Sequence, residues 1–130
     1  MTRFDDILEK DTYSKVKPKK QVLTLALEEG DDVINSIKQG MEDNGVKSAT
    51  VEDVSGKLKE ASISCMDSNK FKRIDFVDTE ILRASGLFKI SAGDLWGSLN
   101  IFTAGRKPMS GKMIRGKASD GFTIKLSFTP

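Results

Sequence analysis

The sequence predicts an α+β fold, a mostly antiparallel β-sheet with one main helix packed on it. One segment, Glu29–Val46, carries the 3.6-residue period of an amphipathic helix. Nearly everything after it alternates with the two-residue period of strands, joined by short connections that favour antiparallel pairing. A lone amphipathic helix must bury its stripe, and one face of the sheet is the partner on offer. With 130 residues, the chain is one domain, long enough to bury a core.

Residues 1–20 are charge-rich and carry Pro18 in the run KVKPKK, which reads as an extension that is flexible or docks on a neighbour. The globular part is then 21–130. Gln21–Glu28 alternates Val22, Thr24 and Ala26 with Leu23, Leu25 and Leu27 and reads as the first strand. In the helix, Val33, Ile34, Ile37 and Met41 share a face. Asp31 and Asp32 stand where carboxylates accept from the unpaired N–H groups of a first turn, and Asn44-Gly45 supplies its end. Strands follow at Val46–Val54 and Leu58–Met66, the latter with Leu58, Ala61, Ile63 and Cys65 inward. Turn residues Asp67-Ser68-Asn69 lead to separate strands at Phe71–Val77 and Glu80–Ile90, and Gly86 in the second suggests a bulge or a close backbone approach. Gly93-Asp94 opens the turn to Leu95–Thr103, the loop Ala104–Pro108 precedes a short strand Met109–Ile114, and Phe122–Phe128 closes the chain in strict alternation. The sum is one helix and roughly eight strands.

Composition removes several function classes. The chain contains no histidine, so Ser-His-Asp and Cys-His catalysis and the commonest transition-metal ligand are excluded together. Cys65 is the single cysteine; no intramolecular disulfide can form, which suits a reducing cytoplasm, and without a histidine partner Cys65 reads as structural. No stretch reaches the roughly 18 apolar residues of a membrane span, and the start MTRFDDILEKD has no apolar core of a signal peptide. No metal or cofactor motif stands out, so none is expected.

Charge is unevenly placed. The net formal charge is +2, yet residues 81–130 hold eight Lys and Arg against Asp94 and Asp120. Arg106 and Lys107 on a loop, with Arg115 and Lys117 near the closing turn, are the candidates for contacts to DNA phosphates. Lysines placed on solvated strand edges to discourage aggregation give the same pattern.

Four stretches resemble the plants-and-prokaryotes-conserved (PPC) domain. EEGDDVINSI looks like that family's exit from its first strand. ATVEDVSGKLKEASI matches its next block at Gly56, Leu58 and Ala61. Glu80-Ile81-Leu82 with Ser85-Gly86 looks like its "FEILSLSG", with Thr79 in place of the aromatic, and Ser110-Gly111-Lys112 falls where it has "GGH". The resemblance implies a trimer-forming fold with sheets packed about a threefold axis. Many prokaryotic members carry an H-x-H pair ahead of the "GGH" histidine, a set that looks like a metal site. Here Trp96, Ser98 and Lys112 occupy the three histidine positions. An indole and an ammonium offer no lone pair to zinc, so no metal is expected.

The resemblance implies a non-enzymatic, DNA-associated regulatory or assembly module acting as a homotrimer, since plant members carry this domain beside an AT-hook. Gly105–Pro108 (GRKP) echoes that hook only in part. Trp96 and Phe102 would then serve as core or interface anchors. The other implied reading is a regulator that binds a small anionic ligand in an inter-subunit pocket lined by Trp96, Ser98 and Lys112. Salt-dependent DNA binding would favour the first, and a ligand-induced rise in melting temperature the second.

Overall fold

The computed structural model describes residues 20–105 and 108–129. Arg106, Lys107 and all but the last residue of the expected N-terminal extension lie outside those residues. The elements in chain order are β1 (Gln21–Ala26), α1 (Val33–Asp43), β2 (Ser48–Ser55), β3 (Lys57–Asp67), β4 (Lys70–Ser91), β5 (Asp94–Thr103), β6 (Ser110–Ala118) and β7 (Thr123–Phe128). Every strand pairing is antiparallel, in the order β1-β7-β2-β4-β3-β6-β5, and β4 also pairs with β5. Strands β4, β3, β6 and β5 therefore close on themselves, while β2, β7 and β1 extend from β4 as an open sheet. No helix among the described residues is long and apolar enough to cross a membrane.

The closure depends on the length of β4, which runs for 22 residues. Its first half pairs with β3 from Lys70 to Glu80, and its second half pairs with β5 from Ile81 to Ser91 and with β2 from Gly86 to Lys89. This corrects the expectation of separate strands at Phe71–Val77 and Glu80–Ile90, and the strand count among the described residues is seven. Asp78 takes a left-handed φ of 49°, a turn-like signal, yet one such residue bends a ladder without ending it. The chain resumes pairing at once, and Ile81 N–H donates to Gly56 O at 3.0 Å.

Helix α1 forms as its sequence requires. Val33, Ile37 and Met41 have no solvent exposure, and Ile34 is half-buried at the margin of the stripe. Asp32 is the N-cap and its Oδ1 accepts from Asn35 N–H at 2.9 Å. Asp31 does not cap the helix as expected: its Oδ2 accepts from Glu28 N–H at 2.9 Å and shapes the lead-in. At the other end Gly45 takes φ 66°, Gly45 N–H donates to Glu42 O and Val46 N–H to Met41 O, the paired bonds of a Schellman stop. The helix stripe packs with Phe122, Ile124 and Leu126 of the closing segment and with Leu58, Ile63 and Leu99 of the closed strands in one core.

The two-residue hairpin turns, β3–β4 and β4–β5, use paired left-handed residues, the twist that such turns demand. Ser68 and Asn69 (φ 50° and 66°) join β3 to β4 within the expected turn. Ala92 and Gly93 (φ 54° and 80°) join β4 to β5, so Asp94 belongs to the strand opposite Ser91 and not to the turn. Strand β6 continues to Ala118, four residues past the expected end at Ile114, because β3 pairs with it as far as Leu58.

Candidate nucleic-acid interface

Strand β6 gathers the basic residues. It buries Met113, Gly116 and Ala118 and turns Lys112, Arg115 and Lys117 outward. Strict alternation would set Lys112 on the opposite face from Arg115 and Lys117. The register shifts, however: Ile63 pairs with Met113 while Ser62 pairs with Arg115, leaving Ile114 as an extra residue. A bulge of this kind reverses the facing of all that follows it. Three cations thereby share one face.

That face continues onto β3 and β4. Ser62 lies between Arg115 of β6 and Asp75 of β4, and Ser64 between Lys112 and Arg73. The Ser62 hydroxyl, fully buried, donates to Asp75 Oδ1 at 2.5 Å. It also accepts from Arg73 Nη2 at 3.2 Å and from Arg115 Nε at 3.4 Å. Arg73 Nε donates to the same Asp75 oxygen at 3.0 Å. The Ser62 hydrogen bond, followed by that from Arg73, holds the Asp75 carboxyl below its ordinary pKa, and the charge of Arg115 adds to this. Two guanidinium groups thus meet at one hydroxyl with a single carboxylate between them. The lower end of the stripe is more balanced. Lys117 stands opposite Glu60, and a small cavity of about 80 Å³ there is lined by Asp32, Glu60, Arg115 and Lys117. The helix start is pinned to the same point by Ala118 N–H donating to Asp31 O at 2.9 Å.

The three residues at the histidine positions lie along the strands. On β5, Trp96, Ser98 and Asn100 point outward, and Asn100 pairs with Lys112 of β6. Ser98, half-buried, sits opposite Leu87, and Trp96 sits opposite Lys89. Asn100 lies four positions after Trp96, about 13 Å along the strand, so within one chain Trp96 and Lys112 do not border one cavity. The Trp96 indole N–H donates to Ser91 O at 3.4 Å. This set does not fit a metal: it offers an engaged N–H donor, one hydroxyl and an ammonium where lone pairs are needed. Phe102, the other expected anchor, is half-buried beneath the Arg83 guanidinium, 4.7 Å from the ring centroid. Arg106 and Lys107 fall between Thr103 and Met109, whose mutual bonds tie the loop at its base: Thr103 N–H donates to Met109 O at 2.8 Å and Met109 N–H to Thr103 Oγ1 at 3.0 Å.

The sequence profile of the Plants and Prokaryotes Conserved (PCC) domain matches residues 14–126. The chain belongs to this family. It is the PPC family of the four motifs above, and as a PPC domain the chain has the expected antiparallel sheet, with one helix among the described residues. Among solved structures, the chain is similar to a plant- and prokaryote-conserved protein of Pyrococcus horikoshii (14% identity, TM-score 0.65, covering 90% of this chain and 82% of that one). It is similar to a candidate DNA-binding protein of Ralstonia eutropha JMP134 (16%, TM-score 0.68, 84% and 76%). A metal-containing protein of Archaeoglobus fulgidus is also similar (16%, TM-score 0.67, 88% and 82%). At such identities the likeness is one of fold. No curated protein matches the chain by sequence.

Sequence reading missed three cations of this PPC domain: Arg73, Arg83 and Lys89. Each is an outward residue of the long β4, and β4 read as two strands gave no register to place them. The available signal was the spacing back from Ala92-Gly93, which sets Lys89 across from Trp96 once the turn is placed correctly.

Proposed function

We propose that this PPC-domain protein is a non-enzymatic, DNA-associated module that acts as a homotrimer in the cytoplasm. The observation that carries the reading is the convergence of Lys112, Arg115 and Lys117 on the outward face of β6, with Arg73 beside them across β3. Aligned cations on a strand suit phosphate contacts, which give sequence-tolerant binding without base readout. The likeness in fold to the Ralstonia protein supports the same direction. The absence of histidine argues against the acid–base and nucleophilic chemistries that depend on it.

Assembly has its own support. The β3–β4 hairpin exposes Met66, Phe71 and Val77 at 61%, 76% and 71%. Among the described residues no strand pairs with the second edge of β4 from Lys70 to Val77. Contact between copies would cover both the apolar side chains and the open edge.

Fluorescence anisotropy of a labelled DNA duplex across a salt series tests the function, with wild type beside Arg115→Glu/Lys117→Glu. Binding that weakens steeply with salt, and a salt slope smaller by about 2 in the double variant, is the expected result. A protein that leaves the duplex unbound at low salt overturns the reading.

A further inference from the structure

The outer face of the β4–β5 ribbon carries a pattern distinct from the β6 stripe. Both outward aromatic residues of β5 stand directly across the ladder from a cation of β4: Trp96 faces Lys89, and Phe102 faces Arg83. Arg83 already stacks on Phe102, while Trp96 is 60% exposed. Between these pairs lie Ser98 opposite Leu87 and Asn100 opposite Ser85, with Asn100 adjoining Lys112. A shallow depression of about 310 Å³ lined by Arg83, Ser85, Asn100, Phe102 and Ser110 continues the face toward β6. Along this ribbon Asp94, the first residue of β5, is an acidic residue facing outward.

We propose that this face binds single-stranded nucleic acid, with a base stacked on Trp96, a second at the Phe102–Arg83 pair, and phosphates on Lys89 and Lys112. The proposal rests on the polyanion reading above and names the strand state that this part of the surface selects. An indole lying open on a sheet offers a flat apolar surface to any base whose own face is uncovered. Bases in a duplex are already stacked on their neighbours and present only edges and phosphates, so a duplex can use the β6 cations but not Trp96. The two aromatics lie six positions apart, about 20 Å along the strand, and the polar Ser98 and Asn100 between them can bond base edges or sugars without selecting a sequence. Charge complementarity sets the class of partner: the pattern places a cation beside each aromatic, where a phosphate follows each stacked base.

Trp96 is the chain's single tryptophan, so its emission reports on this face alone. The wild-type protein is titrated with a fifteen-nucleotide oligothymidylate and, separately, with a duplex of equal length. Anisotropy of labelled forms of both is measured for wild type, Trp96→Ala and Lys89→Glu. The expected result is quenching by the single strand and not by the duplex, and a loss of single-strand affinity of tenfold or more in Trp96→Ala with duplex affinity unchanged. Duplex binding without single-strand quenching overturns this inference and leaves the proposed function standing, whereas binding of neither nucleic acid overturns both. Trp96 emission that shifts on protein dilution but not with oligonucleotide assigns the face to contact between copies of the chain and also overturns it.

Discussion

Ser62 and Asp75 face each other across β3 and β4, and the buried hydroxyl of the first donates to the carboxylate of the second. That bond, with the one from Arg73, sets the ionisation of Asp75, and it is the hub on which Arg73 and Arg115 converge. Replacing Ser62 by Ala removes a partner from three side chains at once and should destabilise the fold by about 1 kcal/mol. Urea unfolding at neutral pH measures it.

The same pair predicts a pH dependence. The folded-state pKa of Asp75 is lowered, so its stabilising contribution is fully present above the ordinary aspartate value of about 3.9 and is lost as pH falls through its lowered folded value. Asp75→Asn should therefore be less stable than wild type at neutral pH, with the gap closing in strong acid. Denaturation midpoints at pH 7 and below pH 3 provide the comparison; a gap that persists in acid would refute the charge-based account.

Two glycines govern the β4–β5 ribbon. A Cβ on Gly97, at φ 126°, would fall 2.0 Å from Leu87 O, and one on Gly86 would fall 2.2 Å from Ser98 O. In both cases the obstacle is backbone in a paired strand. Gly86→Ala and Gly97→Ala should each cost about 2–3 kcal/mol or prevent folding, with Gly97 the worse because its φ is also unsuited to alanine. Thermal melts would show it, and Gly30→Ala, with open space around it but φ 88°, should cost less.

Asp32 caps α1 through its side chain, whereas Asp31 bonds outside the helix. Asp32→Ala should cost about 1 kcal/mol with the helix otherwise intact. Chemical denaturation gives the difference.

The proposed trimer, if assembled through the β3–β4 hairpin, predicts that Phe71→Asp/Val77→Asp shifts sedimentation from trimer to monomer, since both side chains are exposed in the single chain and neither supports its core. An unchanged trimer would place the interface elsewhere.

Much of the fold was legible in the sequence because its signals are local. The helix stripe of Val33, Ile37 and Met41, the Asp32 cap, the Gly45 stop and the alternation of Phe122, Ile124 and Leu126 each depend on residues within a few positions of one another. Gly86 also read correctly as a close approach, here without a bulge, since the register shift lies earlier, between Ile81 and Arg83. The basic character of the C-terminal half was visible, but its grouping was not. Alternation alone sets Lys112 against Arg115, and it leaves Arg73 and Lys89 without neighbours.

What the sequence determined by itself, then, was the helix and its ends, the approximate position of most strands, the inward set Leu58, Ala61 and Ile63 of β3, and the lack of histidine. Tertiary structure alone decided the continuity of β4 through Asp78, the closure of β4, β3, β6 and β5, and the bulge at Ile114 that brings three cations onto one face. The reason is one of range. Propensity and periodicity act over a few residues, but register is fixed by partners far along the chain, and a single extra residue in a ladder reverses the facing of all that follows.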